Sequence, residues 1–266
     1  MTKLWWIIQS YYLYSGAINS DIMLHWNFFR YRIAGGVDPG FISCYENCLL
    51  SRCGQDSLPN PRNARHGIFH NYRPWEYDKV CQYGKFDPRD VVLDTGAMHT
   101  YFCIYVAQFV KKIEVIDNFY WAERDYLMKE KLMSPEEWIR YVEQKGVGKI
   151  KGTNADMAHL PYESGTFDKV LCVSTIEHVL DDHRGIQELA RVLKKNGRLL
   201  LTTEFNFFFE KQYCEQDNSF LRVYNLNSLK ELIKVSNLKL ASPLLVEKVN
   251  LRRYRKHANA FVCLEK

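Results

Sequence analysis

The sequence lacks any apolar run long enough to cross a bilayer, shows no internal repeat or low-complexity tract, and is nearly balanced in charge. Its most apolar opening stretch, Trp5-Trp6-Ile7-Ile8-Gln9-Ser10-Tyr11-Tyr12-Leu13-Tyr14, is too short and too polar to span, because a transmembrane helix needs about 20 apolar residues. No small-residue cleavage site follows it, so neither a transmembrane segment nor export is expected, and a cytoplasmic location is the default. Lys and Arg number 36 against 31 Asp and Glu, a net +5, which is too weak an excess for a nucleic-acid footprint. The densest basic stretch, Leu251-Arg252-Arg253-Tyr254-Arg255-Lys256-His257, reads as a solvated turn between two final strands. Eight cysteines lie scattered at 44, 48, 53, 81, 103, 172, 214 and 263, so reduced thiols are expected rather than a disulfide framework.

What is present is enough apolar material for one sizeable core plus an appendage: 266 residues, 47% hydrophobic. Composition shifts near Phe86-Asp87-Pro88. Residues 1–85 read as an irregular, aromatic-rich extension, with Gly35-Gly36, Asp38-Pro39-Gly40 and Leu58-Pro59-Asn60-Pro61 as turn signals. Its aromatics suit packing on the protein's own core or on a second copy in a homodimer, with a weak membrane-surface contact as the alternative.

Residues 86–266 alternate regularly. Strands are expected at Val91–Asp94, Ile113–Asp117, Lys149–Thr153, Phe167–Val173 and Arg198–Thr203, with two more near Leu238–Val246 and Ala258–Glu265. Helices are expected at Tyr101–Val110, Asp181–Leu193 and Leu226–Val235. Between the second and third strands, Ser134-Pro135-Glu136-Glu137 has the cap, proline and acidic first turn of an inserted helix. The pattern implies an α/β fold with a doubly wound, mostly parallel, seven-stranded sheet covered by helices.

Along that frame runs an ordered series: Val91-Val92-Leu93-Asp94-Thr95-Gly96, Val115-Ile116-Asp117, Asp156-Met157-x-x-Leu160-Pro161, Phe167-Asp168-x-Val170, Ile176-Glu177-His178-Val179 and Arg191-Val192-Leu193-x-x-Asn196-Gly197. Polar groups at the strand ends of such sheets are where nucleotide-like ligands sit. The series resembles that of class I S-adenosylmethionine-dependent methyltransferases, over about residues 70 to 266. The resemblance implies a Rossmann-like fold, S-adenosyl-L-methionine as cofactor, and methyl transfer to a small-molecule or glycan acceptor.

Residue by residue, the resemblance places the cofactor against Asp94, Gly96, Asp117, Asp156, Met157, Ser174, Glu177 and Arg73. Asp117 stands where a carboxylate accepts both ribose hydroxyls. Asp156 is similar to the residue that accepts the adenine amine, with the amide of Met157 facing the ring. The family's usual turn carries a second glycine where this chain has Met98, so the turn is either reshaped to hold the same ligand or binds it weakly or not at all. Glu177 orients neighbours or touches cofactor. His178 is the candidate base for an acceptor hydroxyl, imidazoles ordinarily titrating near 6.5, and a turn-ordering histidine is the equal alternative.

Arg73 belongs to Asn71-Tyr72-Arg73-Pro74-Trp75-Glu76-Tyr77, which resembles an element of some bacterial surface-glycan methyltransferases. As a lid it would shield a sulfonium with aromatic faces and pair Arg73 with the methionyl carboxylate; as a linker its aromatics would pack on the sheet. Acceptor recognition is expected in residues 1–77, in the insert 119–148 and in the run from Phe205 to Tyr224.

Two arrangements look like metal sites without matching known spacings. Glu177-His178-x-x-Asp181-Asp182-His183 fits the acidic start of a helix better. Cys44-x3-Cys48-x4-Cys53 with His66-x3-His70 misses paired zinc knuckles, and Cys44 and Cys48 share a helix face as small buried hydrophobes would. No metal is expected. Beside the enzyme stand two other readings: a non-catalytic binding protein on the same fold, and a scaffold acting through its aromatic N-terminus.

Overall fold

The computed structural model describes residues 22–26, 29–34, 36–54, 73–97, 100–119, 134–207, 210–214, 220–247 and 258–266. The opening aromatic stretch, the turn at Leu58–Pro61, His66, His70, Asn71, Tyr72, Met98, His99, Phe208, Phe209, residues 120–133 of the insert and the basic stretch lie outside the described residues.

Five strands form the parallel half of the sheet: β3 (Val91–Thr95), β4 (Lys112–Asp117), β5 (Ile150–Asn154), β6 (Phe167–Val173) and β7 (Leu193–Phe205). The antiparallel β12 (Ala258–Glu265) follows β7, and then β11 (Leu244–Glu247). The order is β5-β4-β3-β6-β7-β12-β11, the expected seven strands. The chain moves outward from β3 to β5 and returns on the other side at β6, so the switch point lies between β3 and β6.

The inner strands form because their apolar runs are buried on both faces. Val92 enters one core and its neighbour Leu93 the other; Leu200 and Leu199 divide in the same way. One face is covered by α1 (Pro39–Cys53), α2 (Pro74–Gly84), α3 (Phe102–Val106) and α4 (Pro135–Lys145), the other by α5 (Asp182–Val192) and α6 (Leu226–Ser236). The inserted helix starts as its sequence predicts: Ser134 and Glu137 make a reciprocal capping box, with Pro135 in the first turn. Helix α3 is shorter than expected. Its aromatic and β-branched side chains are all buried but form helix poorly, and the next amides reach back only three residues, Phe109 to Val106 at 3.0 Å.

The extension is more regular than its pattern suggests. Strands β1 (Ile22–Trp26) and β2 (Phe29–Ala34) form a hairpin, and β2 runs parallel to β11, prolonging the sheet. A short β10 (Lys239–Leu240) joins β12, and β8 (Lys211–Cys214) and β9 (Phe220–Val223) make a separate hairpin. Asp38-Pro39-Gly40 starts a helix rather than a turn: the Asp38 carboxylate accepts from Gly40 N at 2.9 Å and Pro39 opens α1.

The segment expected as a lid is likewise built in. Trp75 and Tyr77 are buried on α2, which packs on β6, β7 and β12. Tyr77 stacks on Phe102 with ring centroids 4.3 Å apart and planes 7° from parallel. These aromatics pack on the sheet. Tyr77→Ala should therefore destabilise the fold by about 3–5 kcal/mol, read from urea unfolding; a loss under ~1 kcal/mol would mean the helix is only loosely seated.

Candidate cofactor site

The parallel strands end along one edge, and the ends collect carboxylates. Asp94, one residue before the end of β3, is 3% exposed, and Asp117, the last residue of β4, is 5% exposed. The backbone of Asp117 also reaches the third acid: its carbonyl accepts from Ala155 N at 3.1 Å, and Asp156 is the next residue. The three acids expected to meet the cofactor are thus brought to one edge.

The acids differ in what already holds them. Asp117 Oδ1 accepts from Phe119 N at 2.7 Å, which fixes its rotamer. Asp156 is exposed, its Oδ1 accepting from Ala158 N at 2.8 Å, so it shapes its own turn as an Asx residue while Oδ2 faces outward toward His159. Asp94 Oδ2 is buried with no hydrogen-bond partner among the described residues. Burial, aided by the charge of Asp117, pushes the Asp94 carboxyl up to about 8. The side chain of Met157 belongs to the core, its sulfur 3.9 Å from Cys172 Sγ, which leaves its backbone as the part that can meet a ligand.

Gly96 has φ +66°, and a Cβ there would lie 2.3 Å from the Thr175 side chain. The glycine is therefore required by the loop after β6. Thr175 Oγ1 in turn donates to Thr95 O at 3.0 Å, tying the two strand ends across the switch point.

A second polar group sits at the ends of β6 and β7. Ser174 is buried, as is Glu177, which is 1% exposed. Arg73 immediately precedes α2, and its Nη1 donates to Ser174 Oγ at 2.7 Å and lies 3.4 Å from Glu76 Oε2. Burial opposes the Arg73 charge, but Glu76 and Glu177 more than offset it and hold its pKa above the ordinary value. Glu177 Oε2 accepts from Thr203 Oγ1 at 3.1 Å, and Oε1 has no partner among the described residues. Its carboxyl is pushed up to about 8 by burial, with Arg73 pulling the other way and Glu76 and Glu204 adding to the rise. His178 ends a single 3-10 turn, Ile176–His178, and is exposed beside this cluster.

Sequence reasoning did not single out Glu76, Thr202 or Thr203. Glu76 stood inside a quoted motif read for its arginine and aromatics, and the threonines announce themselves only as polar residues closing an apolar strand. Other motif residues prove structural. Asp168 Oδ2 accepts from Val91 N at 2.9 Å and Lys194 Nζ at 2.8 Å, joining strand starts at the far edge. A Cβ on Gly197 would meet the Asp168 and Lys194 carbonyls at 2.9 Å. Arg191 holds the Leu160–Tyr162 carbonyls and Glu188, fixing the turn that carries Asp156.

Asp181 caps α5 through Arg184 N, and Asp182 bonds Tyr224 OH and pairs with Arg222, so these acids serve the helix start. Cys44 is exposed while Cys48 is buried beside Gln108. No group of three or more His, Cys, Asp or Glu residues with metal-binding geometry occurs among the described residues. Likewise, no described helix is long and apolar enough to cross a membrane.

Comparison with known proteins agrees with this architecture. Residues 132–201 match the family described as "Methyltransferase domain". The chain is 31% identical over 65 residues to the uncharacterized methyltransferase YcgJ of Bacillus subtilis, a match covering 24% of this chain and 26% of that protein. It is 27% identical over 89 residues to the ubiquinone/menaquinone C-methyltransferase UbiE of Idiomarina loihiensis, covering 34% of each. The sequence matches thus span about a third or less of the curated relatives' own length.

Among solved structures, the 1,6-didemethyltoxoflavin-N1-methyltransferase of Burkholderia thailandensis, with bound S-adenosylhomocysteine, aligns at TM-score 0.57 and 15% identity over 88% of this chain and 95% of that one. At that identity the likeness establishes fold. The sequence likeness to a methyltransferase domain thus lies in residues 132–201, and the fold is the Rossmann-like fold of methyltransferases.

The buried, unpartnered Asp94 carboxyl makes a stability prediction. Its pKa is raised on folding, so its stabilising contribution is complete below the ordinary 3.8 and is lost as pH climbs toward 8. Asp94→Asn should be more stable than the parent at pH 8, by about 2–4 kcal/mol, with the gap closing toward pH 4 in denaturant titrations. An equal difference at both pH values would contradict this electrostatic account.

Proposed function

We propose that the chain is an S-adenosylmethionine-dependent methyltransferase that methylates a hydroxyl oxygen, and secondarily an amine, of a small molecule or glycan. The observation that carries the reading is the line of carboxylates at adjacent strand tips, two of them with a buried oxygen lacking a partner among the described residues. Leaving such groups unpaired costs free energy unless a ligand completes them. The donor set fits a nucleoside carrying a cationic amino-acid tail.

Asp117 would accept the ribose hydroxyls, and Asp156 the adenine amine with the Met157 amide against the ring. Asp94 and Gly96 would line the tail, with Ser174, Glu177 and Arg73 at its far end. When bound, the cofactor supplies a methyl group on a positively charged sulfur, activated for displacement by an acceptor in line with it. The protein's part would be alignment, exclusion of water and acceptance of the acceptor's proton. The exposed His178 would take that proton, and the hairpin of β8 and β9, which packs against the Ile176–His178 turn, would border the acceptor.

A binding protein without catalysis is the second reading. The [4+2]-cyclase SpnF aligns as well as the methyltransferases, at TM-score 0.57 and 14% identity over 88% of this chain and 97% of that one, so the fold hosts other chemistry. A scaffold reading draws on residues outside the described set.

Calorimetry with S-adenosylhomocysteine separates these. Binding in the micromolar range, weakened at least tenfold by Asp117→Ala, is the expected result; an absence of binding in the parent chain overturns the cofactor assignment. With an acceptor in hand, His178→Gln should lower kcat about 100-fold and leave S-adenosylhomocysteine affinity unchanged. An unaltered kcat would make His178 a loop-ordering residue and an equal loss of affinity would place it against the cofactor.

A further inference from the structure

We infer that Glu76 is a positioning residue, which holds Ser174 in a left-handed backbone conformation and through it fixes the cofactor side of the switch point. The inference rests on the cofactor reading above and adds a residue that reading does not use.

Ser174 has φ +47°, a conformation that costs a non-glycine residue about 1 kcal/mol or more unless its surroundings enforce it. A closed ring of hydrogen bonds does so. Ser174 N–H donates to Thr202 Oγ1 at 3.0 Å, Thr202 Oγ1 donates to Glu76 Oε1 at 2.7 Å, and Ser174 Oγ donates to the same Oε1 at 2.5 Å. The lone pair left on Ser174 Oγ accepts from Arg73 Nη1, which also faces Glu76 Oε2. One carboxylate thus satisfies both hydroxyls, and Glu76 itself is 2% exposed.

The consequence passes along the backbone. The turn at Ser174 delivers Thr175 to the space that Gly96 leaves by lacking a Cβ, where Thr175 Oγ1 bonds Thr95 O. It also sets the start of the turn that bears Glu177 and His178. A helix from the N-terminal region, 98 residues away in sequence from Ser174, therefore shapes both walls of the site.

The test is a double-mutant cycle built on glycine's indifference to positive φ. Glu76→Ala should raise the Kd for S-adenosylhomocysteine at least tenfold, measured at a temperature where circular dichroism shows the variant folded, and should speed amide hydrogen exchange at Ser174 and Thr175. In the Ser174→Gly background, where the turn no longer needs enforcing, Glu76→Ala should change Kd less than threefold. If Glu76→Ala does not fold, Thr202→Val opens the same ring from the other side and is read in the same way. A Kd unchanged by breaking the ring, or changed equally in both backgrounds, overturns the inference while leaving cofactor binding by the parent intact. A parent that binds no S-adenosylhomocysteine removes the cofactor reading, and with it the inference.

Discussion

Ending five parallel strands along a single edge forces acidic side chains into a shared, water-poor space, and the rest of the molecule answers to that constraint. Asp94, Asp117 and Glu177 are almost fully buried there, and ionising a carboxyl in such surroundings is costly. Burial raises both Asp94 and Glu177 to about 8. Arg73 is the described cation that faces this cluster, and its own charge is sustained by the acids around it. A ligand bringing positive charge and hydroxyl donors would relieve the site, so the features that strain the fold are those that favour occupancy.

The same constraint explains why the N-terminal region cannot be an independent appendage. Its two helices contribute Tyr45, Trp75 and Tyr77 to the core beneath the sheet, and they contribute Arg73 and Glu76 to the polar layer above it. Removing α2 would expose apolar surface and also strip partners from Ser174 and Thr202. Packing and site geometry are here one set of contacts.

The sheet was legible in the sequence because its inner parallel strands are buried on both faces, so that runs such as Val91-Val92-Leu93 read as interior strands. The ordered acids were legible because strand ends are short-range features. What escaped was non-local or doubly interpretable. Asp38-Pro39 spells a turn or a helix start in the same letters, and only packing decides. That Gly96 makes room for Thr175, 79 positions on, shows only when the two strand ends are placed together. Glu76 meets Ser174 and Thr202 across about a hundred residues, a pairing that local pattern does not encode. The short α3 reflects buried aromatic and β-branched side chains that extend a helix poorly.

The hairpin that lengthens the sheet has a kinetic side. Strand β2 aligns Ile33 with Val246, so its partner is synthesised more than two hundred residues later. Contacts of such sequence separation form slowly, because the loop entropy is spent before pairing returns anything. During translation the N-terminal hairpin must wait unpaired on that side until β11 emerges, and a chain cut short before residue 244 would present it as an open edge.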